Sequence, residues 1–217
     1  MCIQEIPVEE KIYAENDRIA HDNRHFLKDR GILGVNVMGA PGAGKTSSLL
    51  QIIKGLAEQN VYVIEGDIES DIDTQTLLAQ GIEAVQINTG GACHLDAPAL
   101  QLAFPRLSLQ QPGFLFIENV GNLVCPAEFE IGEHLKMLIC SAAEGSDKPY
   151  KYPLAFEKAQ VILLNKRDLK PYVGFDDSFF YKGVRALNPD APIFEVNAKT
   201  GEGFLEVVQW FKERLGK

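Results

Sequence analysis

Short apolar runs alternate with helical repeats of apolar residues along most of this chain of 217 residues. The apolar runs, rich in Val, Ile, Leu and Phe, predict seven strands at 34–38, 61–65, 84–87, 114–118, 135–141, 160–165 and 193–196. Apolar positions at helical spacing predict helices at 8–30, 46–58, 72–80, 97–107, 154–157, 179–187 and 204–215. Several strands are continuously apolar, which is typical of a parallel sheet covered on both faces.

The alternation predicts an α/β fold, a doubly wound and mostly parallel sheet of about seven strands with helices on both faces. We expect a single domain over residues 1–217, because no repeat, low-complexity tract or linker interrupts the pattern. The first helix, at about 8–30, is amphipathic and is expected to stop at Gly31. Its apolar stripe comprises Ile12, Ile19, Ala20, Phe26 and Leu27.

A glycine-rich run at 39–46, Gly-Ala-Pro-Gly-Ala-Gly-Lys-Thr, lies between the first of these strands and a helix. It matches G-x-x-x-x-G-K-[ST], the P-loop that cradles phosphates, in the context which that motif needs. Gly39, Gly42 and Gly44 let backbone N–H groups converge on phosphate oxygens at a helix N-terminus. We expect Lys45 to reach the β- and γ-phosphates and the Thr46 hydroxyl to bind Mg²⁺, with Ser47 also among the nucleotide-binding residues. The alternative is a turn that only connects two elements.

The sequence Asn-Lys-Arg-Asp at 165–168 follows an apolar strand directly and matches N-K-x-D. An aspartate at the base site, here Asp168, accepts hydrogen bonds from guanine N1–H and the N2 amine, whereas adenine leaves the carboxylate unpaired. We therefore assign Asn165, Lys166 and Asp168 to guanine, and expect the backbone N–H of Ala198 to donate to guanine O6. Alone, N-K-x-D also occurs in ordinary polar loops. Together with the P-loop it favours GTP over ATP.

Two acidic residues end predicted strands close to the P-loop. Asp67 and Glu118 are the candidates for Mg²⁺ and for sensing the γ-phosphate or the attacking water, together with Lys45 and Thr46. The alternative for Asp67 is a helix cap, a role that suits Asp71 and Asp73 better. Because no arginine finger or catalytic glutamine stands out, we expect slow hydrolysis of GTP to GDP and phosphate.

Thiol and imidazole side chains cluster beside this predicted switch. Cys93 and His94 follow the third strand, and Cys125 lies seven residues after Glu118. Such donors suit Ni²⁺ or Zn²⁺ rather than Mg²⁺. In an extended segment the adjacent Cys93 and His94 would point oppositely. Either the loop turns sharply, or two subunits share the site across a two-fold axis, which we prefer.

A plainer interpretation of this segment is a free cysteine in a loop where Asp96 caps the following helix. Among weaker candidates, His21 and His25 stand four residues apart and could clasp a metal, although a solvated helix face is the simpler interpretation. Cys140 is predicted to be core and Cys2 to be a lone thiol. His134 is predicted to be a surface residue or to support the switch.

The net charge of −9 argues against nucleic-acid binding, which needs clustered Lys and Arg. No apolar run is long enough for a membrane span, and the first residues lack a signal-peptide layout. Four cysteines in a chain of this length do not suggest a disulfide framework. We therefore expect a cytoplasmic protein with reduced thiols.

These motifs together resemble the hydrogenase nickel-incorporation GTPases, the HypB family. The blocks that carry the resemblance are the P-loop at 39–46, Asn-Thr-Gly at 88–90, Cys-His-Leu-Asp-Ala at 93–97, Glu-Asn-Val-Gly-Asn-Leu-Val-Cys-Pro-Ala-Glu-Phe at 118–129, Glu-Gly at 144–145, Lys-Pro at 148–149, Lys-Tyr-Pro at 151–153 and Asn-Lys-Arg-Asp at 165–168. They span nearly the whole chain.

The resemblance implies a GTPase that dimerises with GTP and helps to deliver nickel to the large subunit of [NiFe]-hydrogenase. It also implies that Cys93, His94 and Cys125 form a nickel or zinc site, and that the partner is a small zinc- and nickel-binding accessory protein. Some members carry an N-terminal Cys-x-x-Cys-Gly-Cys motif or a histidine-rich tract. Here Cys2 is followed by Ile-Gln-Glu, so we expect metal only at the site near the P-loop.

Two alternatives remain open at the level of sequence. The same fold could serve another client, urease or a cobalamin enzyme. A P-loop kinase acting on a small molecule is a third hypothesis, against which the N-K-x-D motif argues.

Overall fold

The computed structural model describes residues 8–67 and 71–216, with side chains from residue 14 onward. The expectation for Cys2 lies outside these residues. Seven strands are present: β1 Ile32–Met38, β2 Asn60–Asp67, β3 Glu83–Asn88, β4 Gly113–Glu118, β5 Leu135–Ser141, β6 Val161–Asn165 and β7 Ile193–Glu195. The helices are α1 Val8–Lys28, α2 Lys45–Gly55, α3 Ile72–Ala79, α4 Ala97–Ala103, α5 Cys125–Glu128, α6 Lys148–Lys151, α7 Pro153–Lys158, α8 Lys170–Val173, α9 Asp177–Leu187 and α10 Phe204–Lys212.

All seven strands join one sheet in the order β3-β2-β4-β1-β5-β6-β7, and every neighbouring pair is parallel. The doubly wound parallel sheet predicted from the sequence is confirmed. Since all strands run the same way, the loops that follow β1, β2, β4 and β6 meet at one edge. That edge is where the P-loop, both strand-end acids and the Asn-Lys-Arg-Asp segment lie.

Alternation along β4 shows how the sheet buries both faces. Phe114 and Phe116 pack with α2 and α10 on one face, whereas Leu115 and Ile117 pack with α1 and α4 on the other. All four side chains are fully buried. Successive residues of a strand point to opposite faces of the sheet, and here apolar side chains cover both faces. Positions 114–117 of the strand are therefore all apolar, which is the continuous pattern seen in the sequence.

Element limits differ from the predictions mainly at helix ends. The first helix ends at Lys28 rather than Arg30, and Gly31 follows it with φ +66°. The second ends at Gly55, and the fourth ends at Ala103 and continues as a 3₁₀ turn. Three helices of four residues each, α5, α6 and α8, were not predicted. Single turns that begin near a proline are too short to show an apolar period.

Helix α1 is attached to the sheet by buried asparagines as well as by its apolar stripe. Asn16 Nδ2 donates to the Glu130 carbonyl, and Asn16 Oδ1 accepts from the Ala97 N–H at 3.0 Å. Asn23 Nδ2 donates to the carbonyls of Ala97 and Ile131. These bonds fix α1 against the segment that begins α4. No helix among the described residues is both long enough and apolar enough to cross a membrane.

A buried ion pair lies at the start of β5. Glu133 Oε1 lies 2.6 Å from Lys136 Nζ, and both side chains are at most 5% exposed. Glu133 Oε2 accepts from the N–H groups of Ile131 and Gly132. Burial by itself raises the pKa of Glu133, but the Lys136 ammonium and these hydrogen bonds together hold the pKa below its ordinary value.

Glu133→Gln is expected to lower the unfolding free energy by about 3 kcal/mol at pH 7, since it leaves the Lys136 ammonium buried without its counter-ion. Urea unfolding measures this loss. Because the pKa of Glu133 is lowered on folding, its contribution is present above about pH 4.5 and disappears as the pH falls further. Glu130→Gln is the matched control, since Glu130 pairs with Arg24 near the surface and should cost less than about 1 kcal/mol. Equal losses in both variants would contradict the prediction.

Candidate functional site

The glycine-rich run forms a tight loop between β1 and α2, and its glycines are sterically required. Gly44 is the N-cap of α2 with φ +93°, and a Cβ there would lie 2.4 Å from Asn165 Nδ2. A Cβ on Gly39 would lie 2.5 Å from the Ile139 carbonyl oxygen and 3.3 Å from Lys45 Cγ. Lys45 therefore folds its stem back over the loop, and α2 begins at Lys45 rather than at Thr46. The backbone has the open, N–H-lined form that binds phosphate at a helix N-terminus.

The side chains that follow Lys45 have different surroundings. Thr46 Oγ1 donates to Glu118 Oε1 at 2.9 Å, which joins the P-loop to the end of β4. Ser47 is exposed on α2, and Gly42 has φ +75° with open space beside it. Of the predicted phosphate and Mg²⁺ residues, Thr46, Lys45 and Glu118 thus lie together, and Ser47 lies on the outside of the helix.

Asn165 holds the loops of the base site together. Its Nδ2 donates to the Ala43 carbonyl at 2.9 Å, while its Oδ1 accepts from the N–H groups of Lys166 and Ala198. Lys166 adopts a left-handed backbone with φ 56°, and its Nζ donates to the Gly42 carbonyl at 2.7 Å. Asn165 is buried and so acts by positioning the P-loop against the other two segments. The Ala198 N–H, which the sequence predicts to donate to guanine O6, donates instead to Asn165 Oδ1 in this structure.

Asp168 is exposed beside this junction, on a 3₁₀ turn that follows Lys166. Its carboxylate is therefore open to a ligand, in contrast to the structural role of Asn165. Gln51 Nε2 of α2 donates to the Ala198 carbonyl at 2.9 Å and holds the 198 segment against the first helix after the P-loop. The edge is thus rigid on both sides of Asp168.

A cavity of about 330 Å³ opens beside the P-loop, and the predicted Mg²⁺ and switch acids line it. Asp67 and Glu118 both border it, together with Lys45. Glu118 is 4% exposed, and its Oε2 is buried without a hydrogen-bond partner among the described residues. Burial raises the pKa of Glu118 to about 7, although Lys45 and the Thr46 hydroxyl lower it in part. An unpartnered buried carboxylate oxygen beside a hydroxyl is a donor set that suits a hard divalent cation.

Two further acids in this cavity were not assigned to it from the sequence. Glu65 lies opposite Glu118 in the β2–β4 register and is buried, and the Thr74 hydroxyl donates to it. Asp73, interpreted above as a helix cap, also lines the cavity. Burial raises the pKa of Glu65. The available signal was an acid two residues before Asp67 in an apolar strand, on the same face of the sheet.

In the protein without metal or nucleotide, Glu118→Gln is expected to become more stable relative to wild type as the pH rises from about 4.5 to about 7. Folding raises the pKa of Glu118 from 4.5 to about 7, so protonated Glu118 stabilises the fold fully at pH values below about 4.5. This contribution is lost as the pH rises through about 7. The relative change should approach about 3 kcal/mol. Urea unfolding at several pH values measures it. Glu206→Gln, at an exposed acid of α10, is the control, and parallel curves for Glu118→Gln and wild type would contradict the prediction.

The thiol and imidazole candidates come together within one chain. The ligand atoms of Cys93, His94 and Cys125 all lie within 4.8 Å of one another, and no other group of three such ligands occurs among the described residues. Cys93 Sγ lies 3.0 Å from Cys125 Sγ and 3.5 Å from His94 Nδ1. Of the two alternatives raised above, the sharp turn is the one that the structure shows, and the preferred sharing of the site across a two-fold axis stays a prediction.

The turn is produced by two glycines before the cysteine. Gly90 has φ +60° and Gly91 has φ +100°, and the Gly90 N–H donates to Asn88 Oδ1. Asp96 then caps α4 by accepting from the Ala99 N–H at 2.8 Å, so the cap predicted as an alternative exists alongside the cluster. His94 is half-buried and stacks on Phe129 with centroids 4.2 Å apart.

Protons in this cluster are arranged for displacement by a metal. Burial lowers the pKa of His94, which favours the neutral imidazole that metals bind. The hydrogen bond with Cys93 raises the pKa of Cys125, since the two sulfurs share a proton. Three donors from one chain leave at least one position of a tetrahedral shell open to water, a partner or a second subunit.

Two asparagines connect the cluster to the P-loop and Glu118. Asn119 Oδ1 accepts from the N–H of Leu95, the residue after His94, at 2.9 Å. Asn122 Nδ2 donates to the Cys93 carbonyl at 3.3 Å, its Oδ1 accepts from the Val124 N–H, and its backbone bridges to Gly39. The two cysteine segments are therefore in direct contact with the residues that follow Glu118 and with the first residue of the P-loop.

The weaker cysteine and histidine candidates lie in different surroundings. Cys140 is buried in the core, and burial raises the pKa of its thiol. His134 is half-buried at the start of β5, where its Nδ1 accepts from the Gly34 N–H at 2.9 Å. Its suggested support of the switch stays a prediction. His21 and His25 are exposed on α1.

Comparisons with known proteins agree with this site. Residues 34–195 match the family "CobW/HypB/UreG, nucleotide-binding domain". The hydrogenase maturation factor HypB of Azotobacter vinelandii is 44% identical over 210 residues, which are 96% of this chain and 69% of that protein. HypB of Helicobacter pylori, solved in complex with nickel, has a TM-score of 0.88 and 33% identity over 92% of this chain and 94% of that one.

HypB of Archaeoglobus fulgidus, described as a hydrogenase maturation factor, superimposes with a TM-score of 0.87 at 37% identity. This match covers 94% of the present chain and all of the other. The matches extend across the P-loop, the cysteine and histidine loop and the Asn-Lys-Arg-Asp segment, so the chain belongs to the HypB family within the CobW/HypB/UreG group of nucleotide-binding proteins.

Proposed function

We propose that this protein is a GTP-hydrolysing metallochaperone that assists nickel insertion into [NiFe]-hydrogenase during its maturation. The observation that supports this most is the group of three soft donors, Cys93, His94 and Cys125, within 4.8 Å. Asn119 accepts from the Leu95 N–H and Asn122 donates to the Cys93 carbonyl, and these hydrogen bonds join the group to the P-loop edge. A nucleotide site and a transition-metal site tied together suit a protein whose hydrolysis times the movement of a metal ion.

GTP is the nucleotide that the site residues favour. The backbone of the P-loop and Lys45 would hold the β- and γ-phosphates, and Asp168 would accept from the guanine edge. Lys45, Asp67 and Glu118 border one cavity and are the residues that we assign to hydrolysis to GDP and phosphate. Among the described residues that line this cavity, Lys45 is the only cation, so we expect a slow intrinsic rate.

Mg²⁺ fits the same cavity beside the P-loop. Thr46, Glu118 and Asp67 would hold it, and the unpartnered Oε2 of Glu118 supports this assignment. When bound, Mg²⁺ supplies positive charge to the β- and γ-phosphate oxygens. Glu118 would act there as an anionic ligand, and its hydrogen bond with the Thr46 hydroxyl places the two side chains side by side. Asn119, the next residue, accepts from the Leu95 N–H and would so join the cation site to the segment that carries His94.

The cargo site takes nickel or zinc. Thiolate and imidazole ligands select borderline and soft cations over Mg²⁺, and a related structure was solved with nickel. The exposed Cys93 leaves the site open to solvent, so that cargo can enter and leave. A closed structural zinc site would instead carry four protein ligands and be shielded.

We further propose that the protein forms a GTP-dependent homodimer and meets two partners, a small nickel- and zinc-binding accessory protein and the hydrogenase large subunit. Exposed apolar side chains at the nucleotide edge support a contact face there. Tyr172 is 85% exposed on α8, close to Asp168 in sequence, and Val124 is 52% exposed beside Cys125. A second subunit meeting that face could supply the open ligand position of the cargo site. The free thiols suit the reducing cytoplasm.

The direct test is complementation of a strain that lacks its hydrogenase maturation GTPase. We expect the wild-type chain to restore the nickel content of the large subunit and hydrogenase activity, while Lys45→Ala does not. Lys54→Ala, at an exposed lysine of the same helix, is the matched control and should restore both. Rescue of urease or of a cobalamin enzyme without rescue of hydrogenase would transfer the proposal to that client. Transfer of phosphate from GTP to an acceptor other than water would favour the kinase hypothesis.

A further inference from the structure

Two imidazoles of helix α1 face each other at metal-ligand spacing. His21 and His25 are four residues apart, so they lie on the same face of the helix. Their Nε2 atoms are 3.1 Å apart, and their ring centroids lie 4.3 Å apart with the planes tilted by 58°. Both residues are exposed, and neither contributes to the apolar stripe of α1.

The distance has a specific meaning for coordination. Two nitrogens bound to one ion at about 2.0–2.1 Å lie about 2.9–3.4 Å apart when they take neighbouring positions of an octahedral or tetrahedral shell. The observed 3.1 Å falls inside that interval. Two histidines at i and i+4 of a helix are also the arrangement that zinc enzymes use to hold their metal. We propose that His21 and His25 form a second site for a divalent transition-metal ion, Ni²⁺, Cu²⁺ or Zn²⁺, separate from Cys93, His94 and Cys125.

The charges around the pair favour a cation. Asp17 lies one turn before His21 on α1, Asp29 directly follows the end of the helix, and Asp22 Oδ1 lies 3.9 Å from His21 Nδ1. The nearest cations of the helix are engaged elsewhere. Arg18 pairs with Glu15 and Asp22, and Arg24 pairs with Glu130 and donates to the Glu133 carbonyl. Lys28, one turn after His25, is the remaining positive charge on this part of α1.

Helix α1 also holds the backbone of the two histidines in place before any metal arrives. The helix spans Val8–Lys28, and its buried Asn16 and Asn23 are bonded to Ala97, three residues after His94. Binding therefore needs only side-chain adjustment, and the two donors act as a chelate. Two protein ligands leave most of the coordination shell to water. The histidine pair should therefore bind the ion more weakly and exchange it faster than the site of Cys93, His94 and Cys125, called the thiolate site below. The inference rests on α1 alone and does not depend on the nucleotide chemistry proposed above.

The test uses the full chain with Cys93→Ser and Cys125→Ser, which removes the thiolate site. Titration with Ni²⁺ alone, followed by calorimetry and by paramagnetic broadening of histidine ring signals in NMR, should detect one remaining site. We expect the His21 and His25 ring signals to broaden first. His21→Gln or His25→Gln should each weaken binding by about tenfold or more, since either change abolishes the chelate.

A matched control keeps the number of histidines but removes the geometry. Asp22→His combined with His25→Gln places imidazoles at neighbouring positions, which do not face each other on a helix. This variant should bind Ni²⁺ as weakly as His25→Gln. Circular dichroism verifies that α1 is retained in every variant. The proposal is overturned if the parent chain with Cys93→Ser and Cys125→Ser binds no Ni²⁺ at millimolar concentration. It is also overturned if Ni²⁺ binding persists in the double variant His21→Gln/His25→Gln, or if the control binds Ni²⁺ as tightly as the parent chain.

Discussion

Asp168→Asn is expected to change the nucleotide preference from guanine to xanthine. In the proposed base site the carboxylate of Asp168 would accept from guanine N1–H and the N2 amine, whereas an amide would set its own NH₂ against that amine. Xanthine carries an oxygen at C2, which accepts from the amide. GTP affinity should fall about 100-fold or more, since each hydrogen bond to a charged group contributes about 1.5–3 kcal/mol. Competition of XTP, GTP and ATP with a fluorescent nucleotide measures this change in nucleotide preference.

The position of Asp168 makes this prediction clean. It is exposed and lies outside the core, so its replacement should leave the unfolding free energy within about 0.5 kcal/mol of wild type. Asp190→Asn, at an exposed aspartate before β7, is the matched control and should keep the preference for GTP. If Asp168→Asn binds GTP as tightly as wild type, the assignment of the base site is incorrect.

Cys125→Ser is expected to lower the affinity for Ni²⁺ and Zn²⁺ by more than about 100-fold, since loss of even an outer-shell partner of a metal costs 10- to 100-fold. A serine hydroxyl does not ionise at neutral pH and is a hard donor, so it does not replace a thiolate. The two sulfurs at 3.0 Å would be reduced to one. Competition with a chromophoric chelator measures the affinity at the thiolate site.

The same variant also tests the coupling between hydrolysis and cargo. In wild type, metal bound at the thiolate site should be released when GTP is converted to GDP. Cys140→Ala is the matched control for loss of a thiol, because Cys140 is buried in the core and its sulfur faces the Leu163 carbonyl. This control should keep the metal site and the release. Stoichiometric binding and GTP-linked release in Cys125→Ser would exclude the proposed cargo site.

The fold was predictable because its signals are local. Each buried strand is a short apolar run, and the P-loop and Asn-Lys-Arg-Asp segments are contiguous, so spacing along the chain was enough to find them. The four-residue helices α5, α6 and α8 were missed because one helical turn carries no period. Glu65 was missed because its importance comes from the β2–β4 register, which sets it opposite Glu118.

At the site, the roles of several predicted residues depend on contacts between distant segments. Asn165 was assigned to the base, yet its amide joins Ala43 to Ala198. For Cys93 and His94 the sequence left open a sharp turn or a site shared between subunits, and the turn at Gly90 and Gly91 brings both to Cys125 within one chain. Neither outcome follows from the order of residues alone.

The sequence by itself determined the parallel α/β architecture, the phosphate loop and the set of soft donors, because each is encoded in a short stretch with its own chemistry. The tertiary structure decided which donors meet and what they are attached to. Asn119 and Asn122 connect the cysteine segments to Glu118 and Gly39. The physical reason is that polar groups pair wherever folding brings them, as when the buried Asn119 donates to Asn36, which lies 83 residues away along the chain.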